Sequence, residues 1–367
     1  MTPKLKQYPF YLKSTVIIFG LTLCCYALSS LRAIIAPIAF SVVIAILLNP
    51  IVNFLCKRKL NRGFSVFIAL LIAIGVFGGI MYFISSELVK FTDNMVALKG
   101  KFNEHIHSIQ TWIAAKFKIS VGKQQQTLGE AMSNSKALLG TAVGGVFSAI
   151  GFFVLVPVYT FMLLYFKTLF LNFFYESFPQ ENTDKVSEVF TETKKSIQSY
   201  MVGLLLEALV VAVLNSTALL LLGVDYAILL GVIGALLNIL PYIGGLIAIL
   251  LPVILSTVTQ DSLSVPLLII ICYIVIQFVD NHFLVPFLVS SRVRINAFFS
   301  IVIVLLGGAL WGVSGMFLSI PFVAILKIIF DRVPELKPWG KLLGDEVPTR
   351  HKGEIRLRRK IPSKNAA

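Results

Sequence analysis

NILPYIGG, Asn238 to Gly245, interrupts an apolar run in which a helix would otherwise continue. Pro241 cannot donate a backbone hydrogen bond, and Gly244 and Gly245 permit a tight reversal that a chain of β-branched residues would resist. The legs on either side of this break are about 15 and 14 residues, whereas a helix needs about 20 to cross a hydrocarbon core of about 30 Å. Neither leg spans alone. Residues 226–257 are therefore one broken, tilted span or a re-entrant hairpin that enters and leaves on one face.

The rest of the chain is a membrane protein around that break. Of 367 residues, 57% are hydrophobic and 14% charged, and the mean hydropathy is +0.87. Continuous apolar stretches predict helices rather than an alternating barrel. Spans are expected at residues 14–31, 33–55, 63–86, 145–166, 200–222 and 263–289. A second broken segment, 297–330, carries WGVSG at Trp311 to Gly315. The reading is an all-α integral membrane protein of about six full spans and two Pro/Gly-broken hairpins. Its divisions are three N-terminal spans (1–86), an extramembrane helical insert (87–143) and a fourth span with an amphipathic connector (144–199), followed by a core (200–330) and a basic tail (331–367). The insert is expected to be helical to about Phe117, with a break at VGKQQQ, residues 121–126. Cys24, Cys25, Cys56 and Cys272 show neither disulfide nor metal spacing and read as small core residues. The N-terminal apolar stretch lacks the small-residue site of a cleavable signal.

Charge chooses between hairpin and span. The N-terminus carries three Lys, CKRKLNR four Lys or Arg and the segment from Asp331 ten, which puts both termini and the second connector in the cytoplasm. Five spans then deliver residue 223 to the outside. A single crossing at 226–257 would put Arg292 and Arg294 outside and Asp261 inside, against the rule. A hairpin reverses both placements and is favoured. The seven Lys of the 87–143 insert run the other way, but long inserts obey the rule weakly.

Irregular backbone at membrane depth survives only when it is buried in protein or lines a watery cavity. Two such elbows entering from opposite faces would meet near the midplane and present helix ends to a polar solute or ion. Intramembrane polar residues are costly and mark the candidate pathway: Glu207 and Asn215 in the fifth span, Gln277, Asp280 and Asn281 in the long span, Asn238, Pro241, Tyr242, Gly244 and Gly245 at the first elbow, Trp311, Ser314 and Gly315 at the second. Glu207 and Asp280, as carboxylates in a low-dielectric site, are the candidates to carry a proton or cation. Two ordinary kinked spans with structural hydrogen-bonders are the plainer alternative.

Several residue patterns resemble the autoinducer-2 exporter family of bacterial transporters: Pro-Tyr-Ile-Gly at 241–244, the Gly203/Glu207 pair, Gln277, Asp280, Asn281 and Pro286, and the stretch from Gly307 to Pro321. The likeness is strongest over about residues 198–330 and covers most of the chain. The chain departs from the family at Gly245, where the family's turn continues with proline, which loosens the elbow. The resemblance implies a secondary transporter in the bacterial cytoplasmic (inner) membrane, exporting a solute such as autoinducer-2 or exchanging sodium for protons, and it implies a homo-oligomer, a pentamer.

Other classes find little support. GVSG at 312–315 with His282 as base is the one foothold for an intramembrane serine protease, but His precedes Ser, the reverse of those enzymes. Glu104, His105 and His107 could ligate a metal, yet two histidines two apart on a helix point to different faces. No resident metal or cofactor is expected, and no phosphate-binding glycine loop suggests ATP-driven transport. The net charge of +14 reflects membrane topology, with the tail attracting anionic lipid, rather than nucleic acid binding.

Overall fold

The computed structural model describes residues 9–118, 120–126, 151–240, 244–260, 262, 264–289 and 295–345. Among these the fold is all-α, with no strand. The first three helices are α1 (Phe10–Ser30), α2 (Arg32–Lys57) and α3 (Arg62–Phe117). Next come α4 (Gly151–Tyr165), α5 (Lys167–Ser177), α6 (Thr183–Leu221), α7 (Ala227–Asn238) and α8 (Gly244–Thr259). The last four are α9 (Ser264–Val279), extended by a π-helix over Asp280–Val289, then α10 (Ala297–Trp311), α11 (Val313–Arg332) and α12 (Lys337–Leu343).

Six of these helical stretches are long and apolar enough to cross a membrane. On α1, Ile17, Ile18 and Phe19 are 61%, 64% and 67% exposed, and such continuous apolar faces do not persist in water. The molecule is a multi-pass membrane protein. Cys24 and Cys25 lie on this exposed helix; they are not core residues, because α1 lies at the edge of the bundle and its apolar side chains face outward.

Local chemistry sets the helix ends. The Asn61 side chain accepts the Phe64 N–H at 3.0 Å and starts α3, a cap that satisfies one of the free donors of a first turn. α3 then runs unbroken for 56 residues, about 84 Å, so the third span and the start of the insert are one helix. Its end falls at Lys118, in the left-handed region with φ 54°. Residues 121–126 are helical, which corrects the expected break at VGKQQQ: the reversal is made a few residues earlier by the backbone at Lys118. The connector after the fifth helix is likewise fused to the next span, since α6 is continuous over 39 residues. Nothing in SIQSYMVG, residues 196–203, breaks a helix, and the change from charged to apolar residues only marks where it meets lipid.

Between α4 and α5 the axis turns by 65°. A bend frees carbonyls at the end of the first helix, and Arg62 takes one of them, donating from Nε and Nη2 to Leu164 O at 3.0 and 2.7 Å. Its Nη1 reaches Thr168 Oγ1 at 3.2 Å. Arg62→Ala will leave that part-buried carbonyl unpaired and cost about 1–3 kcal/mol; a fall in the thermal midpoint of the purified protein checks this.

The first broken segment folds back on itself. α7 and α8 are 12 and 16 residues long, and α7 at about 18 Å is too short to cross. Their far ends meet at the base, where Gln260 Nε2 donates to Gly223 O at 3.2 Å. Beside them Tyr226 Oη donates to Lys90 O of α3 at 3.3 Å. Pro241 and Tyr242 lie outside the described residues.

The second segment differs from expectation. Its legs are unequal, 15 residues in α10 and 20 in α11, because α11 continues through Pro321 and only α10 remains short. Trp311 Nε1 donates to Leu28 O at 2.9 Å, near the end of α1, so its indole is satisfied by an outer helix. Close packing makes this hairpin: a Cβ on Gly315 would collide with the Gly307 carbonyl oxygen.

Three apolar clusters bind the bundle. One joins α2, α6, the π-helix and α11 through Val43, Ile197, Leu204, Val289 and Leu318. Another fills the base of α6 to α9 around Leu219, Leu230, Leu255 and Ile269. The third joins α2, α3 and α4 through Leu48, Val66 and Leu164.

Candidate functional site

α6 presents a buried stripe, Tyr200, Gly203, Leu204, Glu207, Val211, Asn215 and Leu219, at the 3–4 spacing of one helix face. The helix facing it carries Tyr273, Gln277 and Asp280 at the same spacing. What brings the two stripes together is Gly203: a Cβ there would overlap the Leu288 carbonyl of the π-helix. At Asp280 the α-helix widens into a π-helix of 10 residues. Such segments shift side chains out of the α-helical register and recur at functional sites.

Between α6, the α7–α8 elbow, α9 with its π-helix and the start of α10 lies a cavity of about 740 Å³, within the range of small-molecule sites. Glu207, Asn238, Gly245, Gln277, Asp280 and Asn281 line it. Glu207 and Asp280 are 6% and 2% exposed, and among the described residues no Lys or Arg lines the cavity with them. Asp280 Oδ2 accepts from Asn238 Nδ2 at 2.9 Å and from Gln277 Nε2 at 3.4 Å. Asp280 Oδ1 has no partner. A buried carboxylate without a counter-charge is costly, and chemically such a lining can accept a proton, a cation or hydrogen-bond donors.

The elbow feeds this site directly. A Cβ on Gly245 would come within 2.7 Å of Gln277 Oε1, so the glycine lets the start of α8 pack against the amide that holds Asp280. Gly244 is needed for another reason: its Cβ would strike the Leu237 carbonyl across the turn. Asn215 is buried at 2% exposure but does not line the main cavity; it borders a smaller void that shares Asp280.

Trp311, Ser314 and Gly315 are not among the lining residues. The second hairpin contributes instead from its open end and middle, through Ala297, Ser300 and Ile320, because its elbow is drawn toward α1. His282 Nδ1 lies 2.9 Å from Phe278 O and its ring stacks on Phe278; neither His282 nor Ser314 lines the cavity. Tyr200 and Tyr273, absent from the sequence-based set, also line it. The available signal was spacing: Tyr200 is seven residues before Glu207 and Tyr273 four before Gln277. Among the described residues no group of three or more His, Cys, Asp or Glu is placed to hold a metal ion.

Comparison with known proteins agrees with this architecture. The profile described as AI-2E family transporter matches residues 14–335. The chain is 25% identical over 342 residues to YueF of Bacillus subtilis, a protein named for an inferred transport role, covering 88% of this chain and 91% of YueF. It is 22% identical over 310 residues to YrrI of the same organism, similarly named, covering 82% of this chain and 86% of YrrI. PerM of Escherichia coli K12, named for an inferred permease role, is 27% identical over 209 residues, 57% of this chain and 58% of PerM. With the family profile running over nearly the whole bundle, from α1 to the end of α11, this chain belongs to the AI-2E family of membrane transporters.

Proposed function

We propose that this protein is a secondary transporter that exports a small, polar, hydroxyl-rich solute of the autoinducer-2 type, coupled to an ion carried at Glu207 or Asp280. The observation that carries the reading is the cavity itself: two buried carboxylates, three side-chain amides and, among the described residues, no basic side chain on its lining. Such an acceptor-rich lining complements a solute with several O–H donors. The α7–α8 elbow forms one wall and is a re-entrant hairpin that opens the cavity to each side in turn.

Charge and two contacts support the orientation. Arg332 Nη2 pairs with Glu188 Oε1 at 2.9 Å, so the end of α11 and the start of α6 share a face, the cytoplasmic one in this reading. Gln260 and Gly223 share the opposite face. Both termini are cytoplasmic, the membrane is the bacterial inner membrane, the basic tail meets anionic lipid, and the largely exposed α1 serves contacts with lipid or with the neighbouring copies of a pentamer.

Sodium/proton exchange through the same carboxylates is the second reading, favoured by the unpartnered Asp280 Oδ1. Proteoliposome flux separates the two. Under the solute reading, a labelled furanose-like polyol crosses in exchange for an ion gradient. Sodium-driven proton movement with no polyol flux would assign the exchange activity instead.

A further inference from the structure

Where α2, α3, the α4–α5 bend and α6 converge, three cations gather without an acid. Lys167, half-buried as the first residue of α5, donates from Nζ to Asn49 Oδ1 of α2 at 3.1 Å. The charges of Lys194 and Arg62 both act on it. Arg62 uses three N–H groups on Leu164 O and Thr168 Oγ1, which leaves two of the five that a guanidinium offers. These partners are neutral and cancel no charge. Among the described residues the ion pairs are Lys90–Glu87, Lys327–Asp331 and Arg332–Glu188, so no carboxylate pairs with any of the three.

Asn49 supplies a second observation. It is 5% exposed, and its Nδ2 has no hydrogen-bond partner. A lysine ammonium only donates, so the amide oxygen must face Lys167, and the amide N–H groups are left beside it without an acceptor. Buried donors are almost always paired. A water would satisfy this amide and leave three cations uncompensated. An anion with several acceptor oxygens satisfies the amide and the charges together, and phosphate is the anion that Lys and Arg donors suit best.

The surroundings indicate what carries the phosphate. Asn49 lies eight residues before the end of α2 at Lys57, about 12 Å along the helix, so the donors sit at the edge of the apolar zone and not in open solvent. On α5, beside them, Leu169, Phe170, Phe173 and Phe174 are 64%, 43%, 63% and 41% exposed, at the spacing of one helix face. Acyl chains match that face, and a free anion does not. Basic pockets between membrane helices hold lipid head groups in this way. We propose that Asn49, Arg62, Lys167 and Lys194 bind the phosphate of one anionic phospholipid whose chains lie against α5. None of the four lines the central cavity, so the site is independent of the solute and ion readings. It is separate from the basic tail as well, since its members belong to α2, α3, α5 and α6.

The test is native mass spectrometry of the purified full-length protein in neutral detergent. The protein is titrated with phosphatidylglycerol, with phosphatidylcholine of the same chains, whose choline cation the three basic groups repel, and with inorganic phosphate. One phosphatidylglycerol per chain is expected to bind at least about tenfold more tightly than phosphatidylcholine. Lys167→Met and Lys194→Gln should each remove most of that preference. Asn49→Asp is the sharper variant: it keeps the side chain's size, gives Lys167 a counter-charge and sets a negative oxygen where the phosphate would bind. It should lose the preference with an equal or higher thermal midpoint, which a packing fault would not give. Lys185→Gln, which removes an exposed cation elsewhere on α6, should leave the preference unchanged. Equal affinity for the two lipids, or a preference that survives in Lys167→Met and Asn49→Asp, overturns the site. An equal loss in Lys185→Gln would show diffuse surface charge and overturns it too. Inorganic phosphate that displaces the lipid at equal concentration would make this a free-anion site and overturns the lipid assignment.

Discussion

Asp280→Asn will lower ion-coupled flux in proteoliposomes by at least about tenfold, a loss of about 1.4 kcal/mol or more in the driving interaction, while leaving the thermal midpoint equal or higher. The two halves of this result have one cause. In the wild-type protein Asp280 is 2% exposed and one of its oxygens is unpartnered, so its ionised form is costly in folding. The amide of the variant keeps an oxygen for Asn238 Nδ2 and offers a donor on the void side, where Asn215 Oδ1 lacks a partner. Removing an unpaired buried charge is neutral or stabilising. A residue whose only task was to fix helix packing would lose stability and flux together. Glu207→Gln should behave the same way with a smaller loss, since Glu207 is not held by Asn238 or Gln277 as Asp280 is.

Gly203→Val will abolish the folded state rather than the activity alone. The atoms facing Gly203 are the Leu288 carbonyl and the Val289 Cα, backbone of a π-helix that contains Pro286 and cannot swing aside as a side chain would. Overpacking a rigid contact costs about 3 kcal/mol or more, a large share of the stability of most domains. The expected readout is loss of the monodisperse peak after extraction, with Gly203→Ala partly retained. Gly245→Ala makes a useful contrast, because its nearest neighbour is the end of the Gln277 side chain at 2.7 Å, which can rotate. That variant should fold and lose flux, since Gln277 is one of the two donors to Asp280.

The α7–α8 hairpin was legible because its cause is local. Pro and Gly in the sequence mark a break without reference to any distant partner, and leg length against membrane thickness is simple arithmetic. The polar part of the site was legible for a related reason: Glu207, Asn238, Gln277 and Asp280 are too costly in an apolar segment to be there without partners. What failed depended on which helix is whose neighbour. Trp311 looked like an elbow residue aimed at the centre, but its indole found Leu28 O on α1, and no periodicity in either segment names that partner. The π-helix from Asp280 to Val289 leaves no compositional mark beyond Pro286, because its apolar residues would suit an ordinary α-helix equally. Tyr200 and Tyr273 were not singled out; only their 7- and 4-residue spacing from the polar stripe distinguishes them. The continuity of α3 into its insert and of the connector into α6 was missed because a change in composition was read as a boundary, and a helix feels only its backbone and its caps.

The central claim is that the cavity between α6, the α7–α8 elbow and α9 opens to each side of the membrane in turn. Labelling of Ser300→Cys by a membrane-impermeant maleimide tests it most directly, in protein whose native cysteines, Cys24, Cys25, Cys56 and Cys272, have been replaced. Ser300 lines the cavity from the start of α10. The account predicts reaction from the cytoplasmic face and, separately, from the outer face, with both rates lowered by a transported solute. Reaction from a single face under every ionic condition, unaffected by solute, would contradict it.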